Sequence, residues 1–215
     1  MSTIAIIGTG LMSRALGAGW TRAGHTVRIG ARTAEHATAE LLGFEPGFVG
    51  SPAEAVATAD VVVLAIPFPA VAPLVTELGD SLKGKTIVDI SNPFDHLPHN
   101  ERAAAEYTAD ALGTTTGLVA AFKDNFAATI NAPGAADGER PDVKLAGDDP
   151  EAKAVVAALA RDLDHRVIDC GPLHNARLID GMVSLMLILD RTYCDFTMKT
   201  GWRFFGIPAG VEGLR

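Results

Sequence analysis

The stretch Ile4-Ala-Ile-Ile-Gly8-Thr-Gly10-Leu-Met-Ser13-Arg decides the fold of this chain. Its apolar run ends in Gly8-Thr9-Gly10, a helix-compatible segment follows from Leu11 to Ala23, and a second apolar run begins at Thr26. A strand, a glycine turn, a helix and a strand within about thirty residues make one βαβ unit. Gly8 allows a tight turn, and Gly10 lets the backbone approach a pyrophosphate at the helix N-terminus. The stretch therefore predicts a dinucleotide site.

The glycine turn matches the fingerprint G-x-G-x-x-G/A with one departure. Ser13 occupies its third small position, where it still permits close packing of helix on strand. The alternative is a glycine turn that binds no ligand, but a turn that follows the first strand and opens a helix favours a dinucleotide. The predicted contacts to the dinucleotide here are Gly8, Thr9, Gly10, Leu11, Met12 and Ser13.

The end of the second strand indicates which dinucleotide binds. An NAD site usually has an acid about 20 residues after the glycines, but this chain reads Gly30-Ala31-Arg32-Thr33, with no acid before Glu35. An arginine there can pair with a 2′-phosphate and stack on the adenine. We therefore predict NADP(H), with contacts from Ala31, Arg32, Thr33 and His36. The alternative is that Arg32 is an ordinary solvated residue.

Beyond this unit, apolar runs alternate with helical patterns, which predicts a Rossmann-type, doubly wound, mainly parallel α/β sheet. Ligands bind such sheets outside the carboxyl ends of the strands. Two strands end there in Pro67-Phe68-Pro69 and in Ser91-Asn92-Pro93-Phe94. The predicted nicotinamide contacts are therefore Ile66, Pro67, Phe68, Ser91, Asn92 and Pro93. The alternative is that these prolines only end the strands.

Candidate acid–base groups are few. Lys123 follows the predicted sixth strand, Gly117 to Phe122, where it either holds a phosphate or carboxylate or is a surface lysine. His96 and His99 lie in a polar loop, where a solvated role is the alternative to substrate contact. The sequence has no Ser-His-Asp set, no paired catalytic carboxylates and no metal-ligand spacing, so Lys123 and His99 are the catalytic candidates.

The last forty-five residues differ from the rest. After Gly171 the chain follows a long helical pattern that is apolar nearly all round, so we expect this helix to be buried in a small helical layer or against a second copy of the chain. We therefore predict a Rossmann domain at residues 1–170 and a small C-terminal helical region at residues 171–215.

Composition excludes several classes of partner. A net charge of −8 argues against nucleic acid and anionic membranes. No run of 18 apolar residues occurs, which argues against a membrane span. The two cysteines, Cys170 and Cys194, form no metal or redox motif, and no signal-peptide pattern is present, so we expect a cytoplasmic protein with reduced thiols.

Several motifs together resemble those of a known family, the NADPH-linked coenzyme F-420:NADP oxidoreductases, which reduce a deazaflavin. The chain is also similar to the related reductase domains of membrane metalloreductases, which pass hydride to flavin. The resemblance covers nearly the whole chain and rests on Ile7-Gly-Thr-Gly10, Gly30-Ala-Arg32, Leu64-Ala-Ile-Pro67, Val119-Ala-Ala-Phe122, Ala146-Gly-Asp-Asp149 and Gly171-Pro-Leu-His-Asn-Ala-Arg177. It implies a homodimer and two flat rings stacked face to face at the strand ends.

The resemblance also implies roles for single residues. Pro67, Phe68 and Pro93 become nicotinamide walls, and the backbone around Ala121 contacts the second ring. Three positions depart from the family pattern: Ser13 replaces a glycine, His36 replaces a common basic residue, and Lys123 replaces a common Asn or His.

These features predict an NADP-dependent oxidoreductase that transfers hydride between NADPH and a small-molecule acceptor. The acceptor that the resemblance implies is coenzyme F-420, or FMN or FAD. One alternative is an NADPH-dependent reductase of a small imine or carbonyl compound, and another is an NADPH-binding sensor that catalyses no reaction. Hydride transfer between two carriers needs little acid–base chemistry from the protein, which fits the few candidate groups.

Overall fold

One sheet of eight strands organises the described part of the chain, which in this computed structural model comprises residues 1–33, 35, 37–96, 101–132 and 140–207. The strand order is β3-β2-β1-β4-β5-β6-β7-β8. The strands are β1 (Thr3–Ile7), β2 (Thr26–Gly30), β3 (Phe48–Gly50), β4 (Val61–Leu64), β5 (Thr86–Asp89), β6 (Leu118–Ala121), β7 (Val143–Gly147) and β8 (Val167–Asp169). The first six strands follow the 3-2-1-4-5-6 order of a Rossmann fold, as predicted.

Helices cover both faces of the sheet. They are α1 (Leu11–Arg22), α2 (Ala39–Leu42), α3 (Pro52–Val56), α4 (Phe68–Leu78), α5 (Ala104–Leu112), α6 (Ala127–Ile130), α7 (Pro150–Arg161) and α8 (Ala176–Tyr193). Short 3-10 turns lie at Gly79–Leu82, Phe94–His96 and Leu173–Asn175. No helix in the described residues is long and apolar enough to cross a bilayer.

The pairing pattern places the strand ends that matter for binding. Strands β1 to β6 are parallel, whereas β7 runs antiparallel to β6 and parallel to β8. The central strand β4 is buried along its whole length, since helices pack on both of its faces. The carboxyl ends of β1, β4, β5 and β6 therefore lie side by side, and we call this side of the sheet the carboxyl edge.

Helix α8 is only partly buried. One face carries Ile179, Val183 and Met186, each at most 4% exposed. The other face carries Leu178, Leu185, Ile188 and Leu189, which are between 37% and 62% exposed. Within the described residues, a helical layer therefore does not cover the whole helix, and burial against a second copy stays an alternative. The division into two parts at residue 170 stays a prediction.

Candidate active site at the carboxyl edge

Gly8 closes the turn after β1. Its φ is +120°, and a Cβ there would lie 2.3 Å from the carbonyl oxygen of Ala65, so only glycine fits. Its N–H donates to the carbonyl of Gly30 at 2.9 Å, which joins the turn to the end of β2. The packing of the protein itself accounts for this glycine.

Gly10 has a different role. Its backbone is extended, with φ −71° and ψ −178°, and a Cβ added there meets no described atom within 4 Å. Gly10 is the N-cap of α1 and gives it no side-chain hydrogen bond, and the first turn contains no acid. The free N–H groups and the positive end of the helix dipole suit an anion. A pyrophosphate in that open space accounts for a glycine that the fold does not require.

The predicted 2′-phosphate residues follow β2 at the same edge. Ala31 is anchored, because its N–H donates to the carbonyl of Gly50 at 2.9 Å. Arg32 and Thr33 come next and are both exposed to solvent. His36 lies outside the described residues. The structure therefore brings Arg32 next to the glycine turn, since Gly8 and Gly30 are hydrogen-bonded to each other.

A cavity of about 460 Å³ opens at the carboxyl edge beside the glycine turn. Its volume lies within the range of small-molecule sites. Nine predicted residues line it: Gly10, Leu11, Met12, Ile66, Pro67, Phe68, Ser91, Asn92 and Lys123. The cavity thus extends from the N-terminus of α1 past the ends of β4 and β5 to the end of β6.

Other predicted residues lie away from the cavity. Gly8 and Thr9 belong to the turn after β1, Ser13 lies in the first turn of α1, and Ala31, Arg32 and Thr33 follow β2. Pro93 and Ala121 are buried and are not among the residues that line the cavity, so the contacts predicted for them stay predictions. Phe122, the residue after Ala121, forms the wall instead. His99 lies outside the described residues.

Several further residues line the cavity, among them His96, for which the sequence left substrate contact and a solvated role open. His96 is exposed and lines the cavity, with its ring centroid 6.4 Å from that of Phe68. Pro69, Phe94 and Phe122 also line the cavity, within the stretches that the sequence placed at the strand ends. The lining residues that the sequence did not indicate are Ala65, Ile90, Asn125, Phe126, Ala127, Val183, Leu187 and Met198. Those on α8 and beyond it carry no local signal, because tertiary packing alone brings them to the cavity.

Three lining residues have a left-handed backbone without being glycine. They are Phe94, Phe122 and Met198, with φ values of 44°, 54° and 55°. Such a conformation costs roughly 1–2 kcal/mol for a residue with a Cβ. The fold therefore holds strained backbone at the cavity, and strain of this kind is typical of functional sites.

Lys123 is buried rather than solvated. The residue is 1% exposed, and its Nζ lies 3.0 Å from Oδ1 of Asp180 on α8. The same Nζ donates to the carbonyl of Ser91. Burial raises the pKa of Asp180, and the ammonium of Lys123 opposes that rise. The surface-lysine alternative is therefore wrong, since Lys123 ties the ends of β5 and β6 to α8.

A second buried ion pair lies close to the first. Nζ of Lys144 on β7 donates to Oδ2 of Asp124 at 2.8 Å. Burial raises the pKa of Asp124, and Lys144 opposes the rise. Asp124 directly follows Lys123, so adjacent residues after β6 are each held by an oppositely charged side chain. This pairing fixes the backbone that forms the cavity wall.

Comparisons with known proteins agree with this geometry. Residues 3–93 match the model of the family described as "NADP oxidoreductase coenzyme F420-dependent". The F420-dependent NADP reductase of Methanothermobacter thermautotrophicus is 32% identical over 209 residues, which cover 87% of this chain and 88% of the relative.

The chain belongs to this family. It is therefore an NADP-dependent oxidoreductase. A crystal structure from Arthrobacter sp. FB24, assigned to the F420-dependent NADP reductases, superposes with a TM-score of 0.82 at 28% identity. That match covers 95% of this chain and 99% of the other. The metalloreductase STEAP3 of Rattus norvegicus is 32% identical over 183 residues, which are 83% of this chain and 36% of that protein.

The site of this oxidoreductase fits a nicotinamide in one further respect. Nδ2 of Asn92 donates to the carbonyl of Lys123 at 2.8 Å, which fixes the amide. Its Oδ1 is buried and has no hydrogen-bond partner among the described residues. A buried acceptor without a donor is costly, and a ligand N–H removes that cost. The carboxamide of nicotinamide offers such an N–H.

We expect Lys123→Met to destabilise this oxidoreductase by about 3–5 kcal/mol, because the carboxylate of Asp180 would stay buried without its partner. The double variant Lys123→Met with Asp180→Leu removes both charges and should recover most of that loss. Urea denaturation of the three proteins measures these free energies. A single variant as stable as the wild type would show that the ion pair is not required.

Proposed function

We propose that the protein transfers hydride between NADPH and the deazaflavin ring of coenzyme F-420. The observation that carries this proposal is the continuity of one cavity, which Gly10 lines at one end and Phe122 and Met198 at the other. It leads from an anion-binding helix N-terminus to walls that are mainly apolar. Two stacked rings need such walls, and they need few acid–base groups. The names of the Methanothermobacter and Arthrobacter relatives support the same acceptor.

The protein's own groups would hold and orient the reactants. The first N–H groups of α1 would bind the pyrophosphate, and Arg32 would bind the 2′-phosphate. Pro67 and Phe68 would form a wall of the nicotinamide site, and Asn92 Oδ1 would accept a hydrogen bond from the carboxamide. When bound, NADPH would supply a hydride and the solvent would supply a proton, which together reduce the deazaflavin by two electrons.

The role of Lys123 depends on the acceptor. A carbon-to-carbon hydride transfer between two carriers needs no lysine at the reacting atoms, so Lys123 would hold the ends of β5 and β6 in place. Reduction of an imine or a carbonyl compound also needs a proton donor, and Lys123 is a lining residue that could supply the proton. The acceptor therefore decides between a positioning and a catalytic role.

An acceptor screen tests the proposal. Purified protein and NADPH would be mixed separately with coenzyme F-420, FMN, FAD and a panel of imines and carbonyl compounds, and oxidation would be followed by absorbance, with NADH as control. Fast oxidation with the deazaflavin supports the proposal. Oxidation only with a flavin, or only with an imine or carbonyl compound, would show that this compound, and not coenzyme F-420, is the acceptor. Tight NADPH binding without turnover in any well would favour a sensor.

We also propose that the protein is a cytoplasmic homodimer that uses the exposed face of α8. Leu185 and Ile188 are 48% and 62% exposed there, and such an apolar face is typical of an interface between copies. Both cysteines are free, which fits a reducing compartment such as the cytoplasm. Burial raises the pKa of Cys170 to about 11, so this thiol stays protonated and unreactive at neutral pH.

Sedimentation analysis of Ile188→Glu tests the dimer. A glutamate on the interface should shift the protein toward monomer, because its charge would be buried against the second copy. Leu41→Glu is a matched control, since Leu41 is 45% exposed on α2. Wild-type protein that sediments as a monomer would contradict the dimer.

A further inference from the structure

Asn125, a residue of the cavity wall, carries a second unpaired amide oxygen. The residue follows β6, is 5% exposed and lines the cavity. Its Nδ2 donates to the carbonyl of Asp142 at 3.1 Å. Its Oδ1 is buried and lacks a partner in the part of the chain that the structure describes. A residue of the cavity wall therefore holds a buried, fixed acceptor that has no donor among the described residues.

The orientation of this amide is determined by its neighbour. A flipped side chain would place Oδ1 against the carbonyl oxygen of Asp142, and two acceptors cannot share a hydrogen bond. Nδ2 must therefore face Asp142, and Oδ1 must be the atom left over. Because Oδ1 can only accept, it selects a ligand group that carries an N–H or O–H.

The order of the strands separates Asn125 from Asn92. Along the carboxyl edge the strands run β1, β4, β5, β6, so distance from the pyrophosphate turn increases in that order. Asn92 follows β5, where the nicotinamide is expected, whereas Asn125 follows β6, one strand farther from the turn. Its neighbour in sequence, Phe126, packs in one apolar cluster with Val183 and Met198. Asn125 therefore lies where the second ring belongs.

We propose that Oδ1 of Asn125 accepts a hydrogen bond from the ring N–H of the hydride acceptor and thereby selects acceptors that contain a cyclic imide. This assignment rests on the proposed function. Deazaflavins and flavins share a pyrimidinedione with one such N–H, at N3, between two carbonyl groups. Simple imines and ketones lack this donor and would leave Oδ1 buried and unpaired, which lowers their reactivity.

Methylation of the acceptor tests the contact without changing the protein. 5-Deazariboflavin and riboflavin would each be compared with their N3-methyl derivatives in NADPH oxidation by the wild-type protein. Loss of the N–H should lower kcat/KM by roughly 10- to 100-fold. Comparison of the deazaflavin pair with the riboflavin pair shows which of the two ring systems the protein uses. N3-methyl derivatives that react as fast as their parents would overturn the assignment.

The variant Asn125→Ala completes a double-mutant cycle. In this variant, N3-methylation should lower kcat/KM by less than about threefold, because the oxygen that loses its hydrogen bond in the wild type is already absent. Asn92→Ala is the matched control, and in that variant N3-methylation should lower kcat/KM by the same factor as in the wild type. If N3-methylation lowers kcat/KM equally in the wild type and in Asn125→Ala, the methyl group clashes elsewhere and the assignment is overturned. If none of the ring compounds supports NADPH oxidation by the wild-type protein, the proposed function fails, and this assignment fails with it.

Discussion

Gly10→Val is expected to weaken NADPH binding by more than about 1000-fold, because a branched side chain would fill the space where the backbone meets the pyrophosphate. The fold should tolerate the change, since a Cβ at Gly10 meets no described atom within 4 Å. We expect its free energy of unfolding to fall by about 1 kcal/mol or less, the cost of a poor N-cap residue. Titration calorimetry with NADPH and urea denaturation measure the two quantities.

Gly8→Ala is the informative control for this result. A Cβ at Gly8 would lie 2.3 Å from a backbone oxygen, and φ there is +120°, so this variant should lose stability first. Gly10→Val should therefore lose NADPH binding but stay folded, whereas Gly8→Ala should lose stability. NADPH binding retained by Gly10→Val would show that the glycine turn is not the pyrophosphate site.

Arg32→Asp is expected to weaken NADPH binding by about 100-fold while NADH binding changes by less than about threefold. The variant removes a guanidinium that pairs with the 2′-phosphate and introduces a charge that repels it. NADH has no phosphate at that position, so neither effect applies to it. Fluorescence titration with both dinucleotides measures the ratio.

Arg161→Asp is a matched control for charge. Arg161 is exposed at the end of α7, and its substitution changes the net charge by the same amount. It should leave the preference for NADPH over NADH intact. Equal losses of NADPH and NADH binding in Arg32→Asp would remove the 2′-phosphate role from Arg32.

Features that depend on local backbone chemistry could be predicted from the sequence. Gly8 and Gly10 lie two residues apart, so the turn and the start of α1 follow from conformational limits that act within a few residues. The mainly parallel sheet also follows, because alternating strands and helices form parallel sheets with few allowed connections. The cavity therefore lies at the predicted edge.

Features that depend on contacts distant in sequence could not be predicted. Lys123 is preceded by an ordinary strand pattern, and its partner Asp180 is 57 positions later, so nothing local shows that it is buried. Met198 reaches the cavity only because the chain after α8 packs against Val183 and Phe126. The apolar pattern of α8 predicted burial, but it did not separate packing within the chain from packing between copies.

The left-handed backbones of Phe94, Phe122 and Met198 bear on how this protein would respond to selection for heat tolerance. Glycine at these positions would relax the backbone, yet each replacement would remove a side chain that lines the cavity. A library screened only for melting temperature is therefore expected to accumulate changes at these three positions and to lose turnover as it does so. Screens for a more heat-stable enzyme should keep these three residues unchanged and seek stabilising substitutions away from the cavity.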